Sequence, residues 1–306
     1  MAAEECLPTK IKKYKKWYLR FDENIGEKSR YGKVYNVCKK DDCSYVMKVI
    51  KPTNKYGLSI NKIEAKKSFK KEVEMQNKCA TSNSEERLCL KVEDSWSCGN
   101  GEVNVIVTRL LKETVLQYLG NINIEDGQKS AILKEIIRKI FLLHFNAGIH
   151  HGDTHLNNFM IDHDNSIKII DLGLSQEIGL DENGVVLTLR GIYEQILTDY
   201  KILLSSIDIR FNDTFPKLNI LKGIISRLSY SFSQIYDILG KYKIKSSKLK
   251  LPNLSSDCCK TEESFLSFYE ETLEKARIKN YVDINSIRFL LLGIEKLTIE
   301  KYLRKF

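Results

Sequence analysis

Residues 149–173 constrain this chain more than any other stretch. They begin Ile149-His150-His151-Gly152-Asp153-Thr154-His155-Leu156-Asn157-Asn158. Two short apolar runs follow, Phe159-Met160-Ile161 and Ile167-Lys168-Ile169-Ile170, and then Asp171-Leu172-Gly173. Gly152 and the paired Asn oppose a helix, and the apolar runs around Asn165 predict a strand, a turn and a second strand. The result is a polar loop and a strand hairpin that fix an Asp at 153, an Asn five positions on at 158, and a second Asp at 171.

The rest of the chain can support such a site. It has 306 residues, 42% of them hydrophobic, and only four Pro, which suits one large two-lobed domain or two ordinary ones rather than a disordered chain. No apolar run approaches the roughly 20 residues of a membrane span. The start, Met1-Ala2-Ala3-Glu4-Glu5-Cys6, lacks the apolar core of a secretion signal. The expected location is therefore intracellular, in the cytoplasm. Cys6, Cys38, Cys43, Cys79, Cys89 and Cys98 are scattered and Cys258-Cys259 are adjacent, with no zinc-knuckle spacing, so reduced thiols are expected. Net charge is +9, with basic clusters in residues 10–16 and 241–245, then Lys248 and Lys250. They read first as a solvated tail and a solvated loop. Nucleic acid, anionic lipid or acidic protein are the partners such runs can take.

Periodicity divides the chain near residue 111. Before it, strands are expected at Trp17–Ile25, Val34–Cys38, Tyr45–Ile50, Leu88–Trp96 and Val103–Thr108, with a Lys/Glu-rich helix over Ile63–Cys79 and a turn through Gly99-Asn100-Gly101. After it, Ile132, Leu133, Ile136, Ile137, Ile140, Phe141 and His144 form a helical stripe that Gly148 should stop. Further helices are expected at Leu189–Ser206, Leu218–Leu239, Thr261–Lys279 and from Ile284 to the end.

Together the Asp, Asn and second Asp resemble the catalytic loop and metal motif of the protein-kinase-like superfamily, and the strand and helix order resembles its bilobal α+β fold. That resemblance implies a basic tail at 1–16, an N-lobe at 17–111 and a C-lobe at 112–306. Mg-ATP would lie between the lobes and phosphate would pass to Ser or Thr of a protein. Asp153 would be the catalytic base, Asn158 and Asp171 the magnesium ligands, and His151 a structural residue bonded to backbone near Asp171. Ile25 to Tyr35 is similar to the glycine-rich loop through Gly26 and Gly32, although the middle glycine is missing and one residue is inserted. Lys48, inside the apolar run Val46-Met47-Lys48-Val49-Ile50, would hold the α- and β-phosphates and pair with Glu72, or failing that with Glu74. The backbone of Arg109 to Leu111, after Thr108, would meet the adenine edge, and Val34, Val46 and Met160 would sandwich the ring. Asp199 would tie down the catalytic loop.

Some positions depart from the usual pattern. Gly152 replaces the arginine that receives an activation-loop phosphate, which removes that switch. His155 stands where a lysine is usual, Leu172 replaces Phe, and no Ala-Pro-Glu follows Gly173. These traits are similar to Rio and Bud32-type kinases, to aminoglycoside and choline kinases, and to minimal kinases of large DNA viruses. A small-molecule hydroxyl kinase is thus one alternative, and a catalytically dead scaffold is another. A metallohydrolase also has to be weighed, because all five histidines fall within residues 144–163 and His151 and His155 are four apart. Expected partners are protein substrates, acidic ones among them, with nucleic-acid contact through the basic clusters as a lesser alternative.

Overall fold

A computed structural model describes residues 6–9, 12–20, 32–50, 61–82, 86–121, 123–247 and 261–306. Gly26 with the rest of the glycine-rich stretch before Gly32, and Lys248, Lys250, Cys258 and Cys259, lie outside the described residues. The chain forms two compact units. The first takes in residues 1–112 with 162–164 and 170–174, and the second the remainder.

The first unit is a five-stranded antiparallel sheet with one long helix. Its elements are β1 (Trp17–Leu19), β2 (Gly32–Lys39), β3 (Asp42–Ile50), α1 (Lys62–Thr81), β4 (Asp94–Cys98) and β5 (Val103–Arg109), and the strand order is β1-β2-β3-β5-β4. Side chains alternate along each strand, so one face of β3 carries Tyr45 and Met47 into a core with Trp17, Val37, Trp96, Val105 and Val107. The other face carries Val46 and Lys48 beside Val34 of β2 and Ile106 and Thr108 of β5. Asn61 caps α1 by accepting the Glu64 N–H, and Ala65, Phe69, Glu72, Met75, Gln76 and Cys79 are buried along it at helical spacing.

Three expectations for this unit need correction. The strand expected from Leu88 begins only at Asp94. Residues 89–92 are fastened to α1 instead: Gln76 Nε2 donates to the Leu90 carbonyl, the Val92 N–H donates to Asn77 Oδ1, and Cys89 is bonded to Cys79. The cysteines are not all thiols, since Cys6–Cys98, Cys38–Cys43 and Cys79–Cys89 are disulfides. Spacing alone could not pair them, because Cys6 and Cys98 are 92 positions apart. The described residues of the basic N-terminal segment, 6–9 and 12–16, have solvent-exposed lysines but are fastened to the sheet. Besides the Cys6 bond, Tyr14 stacks on Trp96, Lys15 pairs with Asp94 at 3.0 Å, and Trp17 Nε1 donates to Asp94 at 2.9 Å.

The second unit is mainly helical. It runs β6 (Glu113–Thr114), α2 (Val115–Leu119), α3 (Asp126–Leu142), β7 (Ile149–His150), β8 (Phe159–Ile161), β9 (Ile167–Ile169), β10 (Gln176–Glu177), α4 (Leu189–Phe211), α5 (Leu218–Leu239), β11 (Lys243–Lys245), α6 (Glu262–Lys279), β12 (Tyr281–Asp283) and α7 (Ile284–Leu303). The apolar stripe of α3 is buried at Leu133, Ile136, Ile137, Ile140 and Phe141. The helix widens into a π-turn at Leu143–Ala147 and stops at Gly148, whose φ of 64° suits glycine. The strands β6-β8-β9 make a small antiparallel sheet, and β7 pairs with β10. The second basic cluster is partly a strand, with β11 parallel to β12. Among the described residues no helix is long and apolar enough to cross a membrane. A curled antiparallel sheet with one helix, followed by a mostly helical unit, is an α+β fold of the bilobal kinase-like kind.

Candidate active site

In the first unit the site is built around one ammonium and two carboxylates. Lys48 stands on the half-exposed face of β3, opposite Val34 and Ile106 in the strand registers. Its Nζ lies 3.0 Å from Glu72 Oε1 and 2.6 Å from Asp171 Oδ1. Glu72 is buried on the inner face of α1, while Glu74, two residues on, faces solvent. Burial works against the Lys48 charge, but Asp171 and Glu72 outweigh it and hold the amine above its usual range. Burial pushes the Glu72 carboxyl up, against the pull of Lys48. One ammonium facing two carboxylates leaves an excess of negative charge. Asp171 has φ +59°, a left-handed backbone uncommon for a residue with a side chain, and such strain concentrates at functional sites.

The hinge segment is partly engaged. The Leu110 N–H donates to the Ser44 carbonyl at 2.9 Å, which takes it out of the backbone groups expected to meet adenine and leaves Arg109 and Leu111 as candidates. The Arg109 side chain bonds to Asp42 at 3.1 Å and lies over the Tyr45 ring at 4.2 Å.

In the second unit the loop after β7 is anchored at both ends of Asp153. Asn158, in a short 3-10 turn at Leu156–Asn158, donates through Nδ2 to the Asp153 carbonyl at 2.8 Å and to Asp153 Oδ2 at 3.2 Å. Both partners are acceptors, which fixes the amide orientation and leaves Oδ1 for another ligand. On the other side, the Asp153 N–H donates to His151 Nδ1 at 3.2 Å, so the fully buried His151 is an acceptor within its own loop. Asp199 of α4 is also fully buried. It accepts the His151 N–H at 2.8 Å and the Gly152 N–H at 2.9 Å, and its own carbonyl accepts from the Thr154 hydroxyl. Gly152 has φ +80°, a turn that lets two successive amides reach one carboxylate. His155 Nε2 lies 3.4 Å from Asp153 Oδ2. Met160 is half-buried on β8, paired with Thr114 and Lys168.

The histidines do not make a metal site. Residues 151–155 are loop, so the four-residue spacing of His151 and His155 is not helical. Among the described residues no group of three or more His, Cys, Asp or Glu is placed to hold an ion. His144, expected as a plain core residue, is buried but bonded to Asp199 at 2.8 Å. No sequence motif marks Glu295, which contacts the same histidine. The available signal is its place in α7, four residues after Leu291 on a helix whose buried residues are otherwise mostly apolar.

A family model for the protein kinase domain matches residues 19–198, more than half of the chain, and the chain belongs to that family. Among curated proteins no relative matches it. A protein kinase domain implies a phosphotransferase that uses ATP and acts on protein.

Proposed function

We propose that this chain is a serine/threonine protein kinase that transfers the γ-phosphoryl group of Mg-ATP to a protein hydroxyl. The carrying observation is the clamped Asp153, held by Asn158 on one side and by the amides on Asp199 on the other. A base fixed this way can accept a hydroxyl proton without reorganising. In this reading Gly26 and Gly32 cover the phosphates and Lys48, oriented by Glu72, holds them. Val34, Val46 and Met160 enclose the purine, and the backbone of Arg109 and Leu111 reads its edge.

Asn158 and Asp171 would hold magnesium. The donor set fits: a carboxamide oxygen and a carboxylate are hard ligands, and magnesium usually takes one or two carboxylates and completes its shell with phosphate and water. The surplus negative charge beside Lys48 also suits a dication. Held there by Asn158 and Asp171, magnesium would supply neutralisation of phosphate charge.

An acidic protein substrate is the partner proposed on the net charge of +9. Nucleic-acid contact through the basic clusters is the lesser proposal. The proposed division is a basic segment at 1–16, an N-lobe at 17–111 and a C-lobe at 112–306. An intracellular site remains the proposal for location, although three disulfides argue against a reducing cytosol.

A small-molecule hydroxyl kinase is the second reading, favoured by Gly152, His155 and the short stretch of residues 174–188 before α4. The test is incubation with labelled ATP and magnesium, with casein, histone, choline or an aminoglycoside. Label on Ser or Thr of protein is the expected result. Turnover of the small alcohols alone would favour the second reading, and no transfer at all would leave a scaffold.

A further inference from the structure

His144 presents both ring nitrogens to carboxylates. Nε2 lies 2.8 Å from Asp199 Oδ2 and Nδ1 lies 2.7 Å from Glu295 Oε1, and all three side chains are wholly buried. A neutral imidazole carries one N–H, so at one of these contacts two lone pairs would oppose each other. Only the imidazolium donates to both. Burial works against that charge, but Glu295 and Asp199 outweigh it and hold the histidine up at about 10.

Glu295 is the outer of the two carboxylates on this histidine. Its Oε1 also accepts from the Tyr200 hydroxyl at 2.6 Å, while its Oε2 is buried without a hydrogen-bond partner. A carboxylate serving only to pack α7 costs desolvation that an apolar side chain would avoid. Its effect falls at the far end of the imidazole. Asp199 Oδ2 accepts from His144 Nε2 and from the His151 N–H, and Oδ1 accepts from the Gly152 N–H. These are the two residues immediately before Asp153.

We propose that Glu295 is a positioning residue for phosphoryl transfer: by fixing His144 as a two-ended donor it locks the Asp199 carboxylate that carries the catalytic loop. The inference rests on Asp153 being the base. Without the Glu295 charge, His144 can lose its Nδ1 proton; the neutral ring still donates from Nε2 to Asp199, but that bond is no longer charge-assisted. The carboxylate is then held less firmly, and the loop amides have a less fixed acceptor. A purely structural Glu295 would affect stability alone.

Glu295→Gln in the full chain tests this, since the amide keeps the length and can still accept from Tyr200. Turnover, KM for ATP and backbone hydrogen exchange at His151 and Gly152 are measured together. The expected result is turnover reduced about tenfold to a hundredfold, the scale of a misplaced catalytic group. KM for ATP should stay within about twofold, because the residue acts away from the nucleotide. Exchange at His151 and Gly152 should rise while α5 amides keep their rates. Wild-type exchange at those two amides would overturn the proposal, as would wild-type turnover, whatever the melting temperature. If Glu295→Gln does not fold, Glu295→Met is read the same way, since it also removes the charge at similar length. If the wild-type chain transfers no phosphate, the kinase reading fails, and the exchange measurement alone decides this link.

Discussion

Lys48 faces two acids, and they are not equivalent. Glu72 is buried on α1, whereas Asp171 is about one-third exposed. Removing one partner of a buried ion pair typically costs roughly 3–5 kcal/mol, but Lys48 keeps Asp171 when Glu72 is neutralised. Glu72→Gln should therefore lower turnover and leave some, while Lys48→Met should fold and lose nearly all of it. Glu74→Gln, on the solvent side of α1, should be neutral. Turnover with ATP-dependent thermal shift is the measurement, and a loss on Glu74→Gln instead would overturn the N-lobe assignment.

His144 gives a pH signature. It is surrounded by Asp199, Glu295 and Tyr200, with His150 beyond at 3.2 Å from Asp199. Its pKa is raised from 6.5 to about 10. A raised value means that the folded chain holds a proton the unfolded chain has released. The stabilisation is fully present below pH 6.5, falls by up to about 1.4 kcal/mol per pH unit above it, and is gone past about 10. His144→Gln should flatten that decline in a denaturation series, and an unchanged slope would contradict the ion pair. The contact of Lys48 with Glu72 is legible in sequence because the kinase resemblance implies a strand lysine paired with a Glu on the next helix. The bond of His144 to Glu295 is not, because 151 positions separate them and neither neighbourhood names the other.

Elements are legible where local chemistry sets their ends. Helix α5 spans its expected residues, with buried positions every three or four residues from Leu218 to Leu239. Helix α6 starts where Thr261 closes a capping box with Ser264. The strand expected from Leu88 fails because long-range bonds to α1 override its β-propensity. The disulfides are the strongest such constraint. Closing the 92-residue separation between Cys6 and Cys98 contributes about 4–5 kcal/mol in the chain-entropy account. Reductant should therefore lower the melting temperature clearly, and under denaturing, non-reducing conditions no more than two of the eight cysteines should react with a thiol reagent. Eight reactive thiols would contradict the pairing.

At the scale of the whole molecule, the family match ends at residue 198, inside α4, whereas among the described residues three further helices, α5, α6 and α7, follow it. Glu295 reaches back from that later region to the buried histidine behind the loop. The proposed kinase thus depends on residues that no motif marks. Its central claim is that Asp153 handles the substrate hydroxyl rather than the nucleotide. Turnover and ATP affinity of Asp153→Asn, measured on the same preparation, test that claim most directly. Turnover should fall by about 10²–10⁴-fold, the usual share of a general base, with ATP affinity within about twofold of wild type. Turnover near wild type, or ATP affinity falling together with turnover, would contradict it.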